Sequence, residues 1–141
     1  MGEQYLLTVC DLAEVDQFKK IIEEHKIDTS LPTFFYAECV LSYIDAERVD
    51  SLMGYINKAF NLAFVFDYEM YNANDRFGQL MVKNFELRGC PLVGIYKYPE
   101  LSRQHERYSE RGFKRTEVYT MREMYLLGYL VTMSALTRPN A

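Results

Sequence analysis

Short apolar runs alternate with amphipathic segments along this chain, and that alternation limits the fold more than any other feature. Residues 5–10, 33–37 and 63–66 are rich in aromatic and β-branched side chains and are flanked by polar or turn residues, so they predict strands. Between them Val15, Phe18, Ile21 and Ile22, and then Val49, Leu52, Met53, Ile56 and Phe60, recur near a 3.6-residue period and predict helices. Strand, helix and strand in succession mark βα units on a mostly parallel sheet rather than a bundle or a sandwich. The run 33–37 shows no polar alternation. It is expected to be a central strand covered on both faces, with Pro32 at its start, where a missing ladder donor is tolerated.

Helix ends are written in the same residues. Asp11 with Glu14, and Thr120 with Glu123, have capping-box spacing, and Asp45 opens the second helix. A third helix is expected over about 73–88, with Phe77, Leu80, Met81 and Phe85 inward and Gly89 just past its end. A fourth is expected over 99–111, stopped by Gly112, then a strand over 113–119 and a last helix. The apolar stretch 124–136 is shorter than the roughly 20 residues of a membrane span, so it predicts a buried helix and no membrane segment. No internal repeat or low-complexity linker interrupts the 141 residues, which fit one domain.

Composition removes several functions. A net charge of -4, with the basic residues between Lys97 and Arg122 interleaved with Glu, predicts a solvated helix face and no nucleic-acid partner. The three cysteines are odd in number and lack CxxC spacing, which suits free thiols in the cytoplasm; the N-terminus has no secretory pattern. His25 and His105 lie among charged residues and are expected to face solvent. No Gly-x-Ser-x-Gly turn, metal-ligand spacing or glycine-rich phosphate loop is present, so nucleophilic catalysis, a metal and phosphate-cradled nucleotides lack support.

What remains is a set of acids at predicted strand ends. Asp11 follows Cys10, Glu38 follows Ala37, and Asp67 and Glu69 follow Phe66. Ligands of open α/β sheets sit at the carboxyl ends of the strands, and carboxylates there suit amine donors or a positive centre. Asp11 also suits an N-cap, and Asp67 a cap or surface acid. Glu38 lies in a run expected to be buried, where an acid needs a partner. Cys39 is expected to be a small buried residue. Two runs, Ala37-Glu38-Cys39-Val40-Leu41-Ser42-Tyr43 and Asn74-Asp75-Arg76-Phe77-Gly78-Gln79, are not demanded by hydrophobic packing alone.

With these motifs the chain resembles the leucine carboxyl methyltransferase family from about residue 5 to 125. The resemblance rests on Asp11-Leu12, on Leu31-Pro32-Thr33 leading to residues 37–43, and on Tyr68-Glu69, Asp75-Arg76-Phe77-Gly78-Gln79 and Arg88-Gly89-Cys90. It implies an α/β class I, Rossmann-like methyltransferase sheet with flanking helices, lacking its first strands, so that residues 1–141 form a partial methyltransferase domain. It implies S-adenosyl-L-methionine as methyl donor, with Asp11 accepting from the adenine amine, Leu12 against the adenine and Glu38 facing the methionyl end. It implies methylation of the C-terminal leucine carboxylate of the type 2A protein phosphatase catalytic subunit, with Tyr43 lining the leucine pocket. Asp75 and Arg76 are expected to act as a helix cap and a salt bridge.

In the family pattern the glycine-rich donor loop, the ribose-binding acid and basic residues that grip the substrate precede the matched part, so the chain alone is expected to bind the donor weakly or not at all. The related tRNA wybutosine carboxyl methyltransferases share the framework, and Pro91-Leu92 and Tyr98-Pro99 are somewhat similar to theirs. A non-catalytic interaction fragment is the third reading, favoured if the first strand leaves apolar surface open.

Overall fold

A computed structural model describes residues 5–136, with side chains through residue 128. The elements are α1 (Val15–Glu24), β1 (Pro32–Glu38), a 3-10 turn (Leu41–Tyr43), α2 (Ala46–Ala59), β2 (Leu62–Tyr68), α3 (Arg76–Leu87), α4 (Leu101–Ser109) and α5 (Met121–Leu136). β1 and β2 pair in parallel from Pro32 opposite Leu62 to Glu38 opposite Tyr68, with α2 as the crossover. The α/β expectation is met by this βαβ unit.

The crossover organises the core. The Asp45 carboxylate accepts from the Glu47 backbone N–H at 3.0 Å and caps α2, which then buries Val49, Leu52, Met53 and Ile56, with Phe60 just past its end. Leu41 joins them, and Leu12, Val15, Phe18 and Ile22 pack on from one side while Phe35, Ala37, Ala63 and Val65 pack on from the sheet. Phe35 meets Phe60 edge to face at 4.9 Å. A second, smaller core of Ala73, Val82, Leu92 and Ile95 lies under α3.

Coverage of the sheet differs from the sequence expectation. Both strands alternate exposed and half-buried residues, because α1 and α2 pack on the same core and therefore cover one face. Phe34, Tyr36, Phe64 and Phe66 stand on the other face at 46–65% exposure, with Tyr36 stacked on Phe66 at 5.4 Å. Residues 5–10 and 113–119 are not strands here. A strand needs a neighbour to complete its hydrogen bonds, and among the described residues β1 and β2 pair only with each other. Val9 is 96% exposed.

Helix boundaries hold better than helix faces. Thr120 and Glu123 form the expected capping box: Glu123 N–H donates to Thr120 Oγ1 at 3.1 Å, and the Glu123 carboxylate accepts from Thr120 N–H at 2.7 Å. Asp11 and Glu14 do not form one; Asp11 accepts from Ala13 N–H at 2.9 Å in a local turn, and Glu14 pairs with Arg48. Gly89 and Gly112 end their helices at φ of 74° and 94°, the left-handed region that glycine enters without strain. On α3 the inward face is Gly78, Met81, Val82 and Phe85, an i, i+3, i+4, i+7 stripe. Phe77 and Leu80 lie beside that stripe and are exposed, contrary to expectation. On α5 the described side chains Met124, Tyr125, Leu126 and Leu127 are also exposed rather than buried. Among the described residues no helix is long and apolar enough to cross a membrane.

The largest departure is the basic segment. Lys97, Arg107 and Arg111 converge on the buried carboxylate of Asp50 instead of forming a solvated face. Asp50 accepts from Lys97 Nζ at 3.0 Å, Tyr98 O–H at 2.8 Å and Arg111 Nη2 at 2.7 Å. Arg107, 4% exposed, places Nε 4.0 Å from Asp50 and its guanidinium 5.3 and 5.8 Å from the Tyr98 and Tyr108 ring centres. Burial works to raise the Asp50 pKa, but hydrogen bonds from Tyr98, Arg111 and Lys97 outweigh it and hold the carboxyl below its ordinary value.

Replacing Asp50 with Ala leaves Arg107 buried without its counter-charge and is expected to cost roughly 3–5 kcal/mol at neutral pH in urea unfolding. Because the folded pKa is depressed, Asp50 stabilises the fold above its ordinary pKa and stops doing so as pH falls through the folded value. The difference between wild type and variant therefore shrinks in acid, and a gap independent of pH would contradict this account.

Candidate functional site

The carboxyl ends of β1 and β2 form one rim. Cys39 N–H donates to Tyr68 O at 2.8 Å, carrying the strand pairing one residue past Glu38. The chain then turns sharply, with Cys39 at a φ of 51°. The first N–H groups of the following 3-10 turn have no partner within it, and Glu69, two residues on from Asp67, supplies one. Glu69 Oε1 accepts from Val40 N–H at 2.8 Å, Leu41 N–H at 2.5 Å and Ser42 N–H at 3.3 Å, and Oε2 accepts from Ser42 O–H at 2.6 Å. This is a carboxylate in a nest of backbone donors, and it fixes the path between Glu38 and Tyr43.

The predicted site residues fall around this turn. Glu38 is exposed, not buried, and accepts from Tyr36 O–H at 2.6 Å on the open face of the sheet. Tyr43 is 38% exposed and meets Phe85 edge to face at 5.9 Å. Asp11 is exposed, while Leu12 packs against the core that contains Leu41. Thus Glu38 and Tyr43 sit at the two ends of one anchored turn; no hydrogen bond ties Asp11 to either.

The run 74–79 serves as a helix cap and a close backbone approach. Asp75 caps α3, accepting from Gly78 N–H at 2.6 Å and from Asn72 Nδ2 at 2.7 Å, and Gln79 Nε2 donates to Asn74 O at 2.9 Å. A Cβ on Gly78 would stand 2.2 Å from Asn72 O and 2.7 Å from the Ala73 backbone, so only glycine lets α3 approach this loop. The expected cap is present; Arg76 makes no ion pair among the described residues.

Asp67 is neither a cap nor a surface acid. It is largely buried and accepts from Tyr108 O–H, which comes from α4. Burial first, and the nearby charge of Glu69 second, push its pKa up to about 6 against the opposing hydrogen bond from Tyr108. The sequence places Glu69 in a family motif and both acids at a strand end, but not these contacts, because the partners lie 27–29 and 41 residues away along the chain. Burial, with the charges of Glu69, Glu38 and Asp67 adding to it, raises the Cys39 thiol, which suits an inert thiol rather than a nucleophile. His25 and His105 are exposed, and no metal-holding group of three ligands occurs among the described residues.

A parallel βαβ unit places the chain in the α/β class and is consistent with a methyltransferase sheet. Residues 3–57 match the family model described as leucine carboxyl methyltransferase. The chain is 33% identical to the leucine carboxyl methyltransferase 1 homolog of Arabidopsis thaliana across 89% of its own length and 38% of that protein. It is 31% identical to leucine carboxyl methyltransferase 1 of Rattus norvegicus, across 88% of its length and 37% of that protein. It is 27% identical to tRNA wybutosine-synthesizing protein 4 of Rattus norvegicus, across 88% and 18% respectively. The chain is a relative of the leucine carboxyl methyltransferase family, as its motifs imply, and spans a little over a third of the length of the leucine carboxyl methyltransferases it matches.

Gly78→Ala is expected to destabilise the chain by about 1–3 kcal/mol, since the added methyl meets backbone rather than a movable side chain. Thermal unfolding checks this; an unchanged or raised midpoint would show that the loop has room.

Proposed function

We propose that this chain carries part of the ligand rim of an S-adenosyl-L-methionine-dependent carboxyl O-methyltransferase. Its substrate on this reading is the C-terminal leucine carboxylate of the type 2A protein phosphatase catalytic subunit, met in the cytoplasm. The single observation that carries the reading is the turn anchored by Glu69, with Glu38 at one end and Tyr43 at the other. The names of the relatives supply the reaction class.

The residues suit the donor's chemistry. Asp11 and Glu38 are exposed carboxylates that accept hydrogen bonds, which fits the adenine amine and the methionyl amino group in turn; Leu12 offers an apolar edge beside Asp11, and Tyr43 an aromatic wall for leucine. When bound, the donor supplies an electrophilic methyl on a sulfonium. A leucine carboxylate is ionised at neutral pH and needs no general base. The protein's task is to align the two groups and shield them, which accounts for a rim without a proton relay.

One observation favours a second reading. The open aromatic face of Phe34, Tyr36, Phe64 and Phe66 is apolar surface of the kind used to bind another protein, so the chain could serve as a non-catalytic interaction fragment.

Titration calorimetry with S-adenosylhomocysteine separates the two. With fewer contacts than the full family pattern supplies, binding is expected to be weak, of the order of 0.1–1 mM, and lost in Glu38→Ala. Equal binding by both proteins would overturn the role given to Glu38, and absence of heat from the wild type would favour the interaction fragment.

A further inference from the structure

We propose that Asp67, held by Tyr108, is a positioning residue for the rim: its protonation state sets how firmly Glu69 holds the turn that joins Glu38 to Tyr43. The functional consequence rests on the reading of that rim given above; the coupling itself does not.

Asp67 is the penultimate residue of β2 and Glu69 follows directly after its end, close enough for the Glu69 charge to act on Asp67. Glu69 accepts from three backbone N–H groups and one hydroxyl, so both of its oxygens are engaged. A second carboxylate beside it, in a largely buried place, is the one that takes a proton. The direction found for Asp67, up to about 6, has those two causes. One Asp67 oxygen accepts from Tyr108 O–H and the other has no partner among the described residues, so ionisation leaves a buried charge only half satisfied.

The groups facing Asp67 come from every element around it. Arg107 and Tyr108 approach from α4, Glu69 lies on its own chain, and Cys39 lies just beyond β1. Arg107 is already engaged near Asp50 and between two rings, so it offsets the charge only in part. The remaining repulsion is relieved by letting water reach Asp67. That separates α4 from β2 and loosens the strand end from which Glu69 projects. Below the Asp67 pKa the anchor is tight, and it loosens as pH rises through that value.

Amide hydrogen exchange at Val40, Leu41 and Ser42, corrected for intrinsic exchange, reads the anchor without any ligand and so stands apart from the donor-binding test. In the wild type, protection is expected to fall severalfold between pH 5 and pH 7.5 with the midpoint of the Asp67 carboxyl carbon resonance. In Asp67→Asn, whose amide oxygen can still accept from Tyr108, protection is expected to stay level. In Tyr108→Phe the midpoint is expected to move up, because the hydrogen bond that lowers the Asp67 pKa is gone. Wild-type protection that does not change with pH, or an amide midpoint differing from that of the carboxyl carbon, would overturn the proposal even if a variant fails to fold.

Discussion

The hold of Glu69 on the Val40–Ser42 backbone is the interaction on which the rim depends. Strand pairing brings the ends of β1 and β2 together but says nothing about where the chain goes next. At Cys39 the backbone turns through a left-handed conformation into a helical turn with unpaired N–H groups, and a single carboxylate just past the end of the neighbouring strand satisfies three of them. Ser42 O–H binds the second oxygen, so both oxygens of the acid are engaged. Leu41 is thereby set into the α2 core, and Tyr43 against Phe85 of α3. One ion-like contact thus connects sheet, crossover helix and third helix at the place where ligands of such sheets bind.

Behind that rim a line of polar contacts continues through the interior. Asp67 meets Tyr108, Tyr108 and Tyr98 flank Arg107, and Asp50 gathers Lys97, Tyr98 and Arg111. Buried charges of this kind are costly unless paired; Asp50 gathers three donors on one oxygen, while its other oxygen, Arg107 Nε and one Asp67 oxygen have no hydrogen-bond partner among the described residues. They tie α4 to both α2 and β2, elements whose apolar contacts with α4 are few, since Tyr108 and Phe113 are the side chains from this region packed on the main core.

Much of the fold was legible in the sequence because it rests on local rules. The Asp45 cap, the Thr120 and Glu123 box, the two terminating glycines and the 3.6-residue stripe of α2 each need information from a few neighbouring residues. What failed depended on distant partners. Residues 5–10 and 113–119 have strand-like composition, yet composition does not provide the neighbouring strand. Phe77 and Leu80 are apolar and so read as inward, whereas the helix face is set by Gly78, where α3 approaches the 72–73 backbone closely. Lys97, Arg107 and Arg111 look like a solvated basic face until Asp50, 47 to 61 residues earlier, is placed among them. For the site, Asp11, Leu12, Glu38 and Tyr43 were named through family motifs; the acid that fixes the turn, Glu69, carries no local sign of that role.

A double-mutant cycle on Glu69→Ala and Ser42→Ala, read by urea unfolding, addresses the central claim most directly. If Glu69 anchors the turn through Ser42 as well as through the backbone, the two losses are expected to be non-additive by about 1–3 kcal/mol, with Glu69→Ala the larger. Additive losses, or a Glu69→Ala variant as stable as the wild type, would mean that the turn holds itself and that the rim has no single anchor.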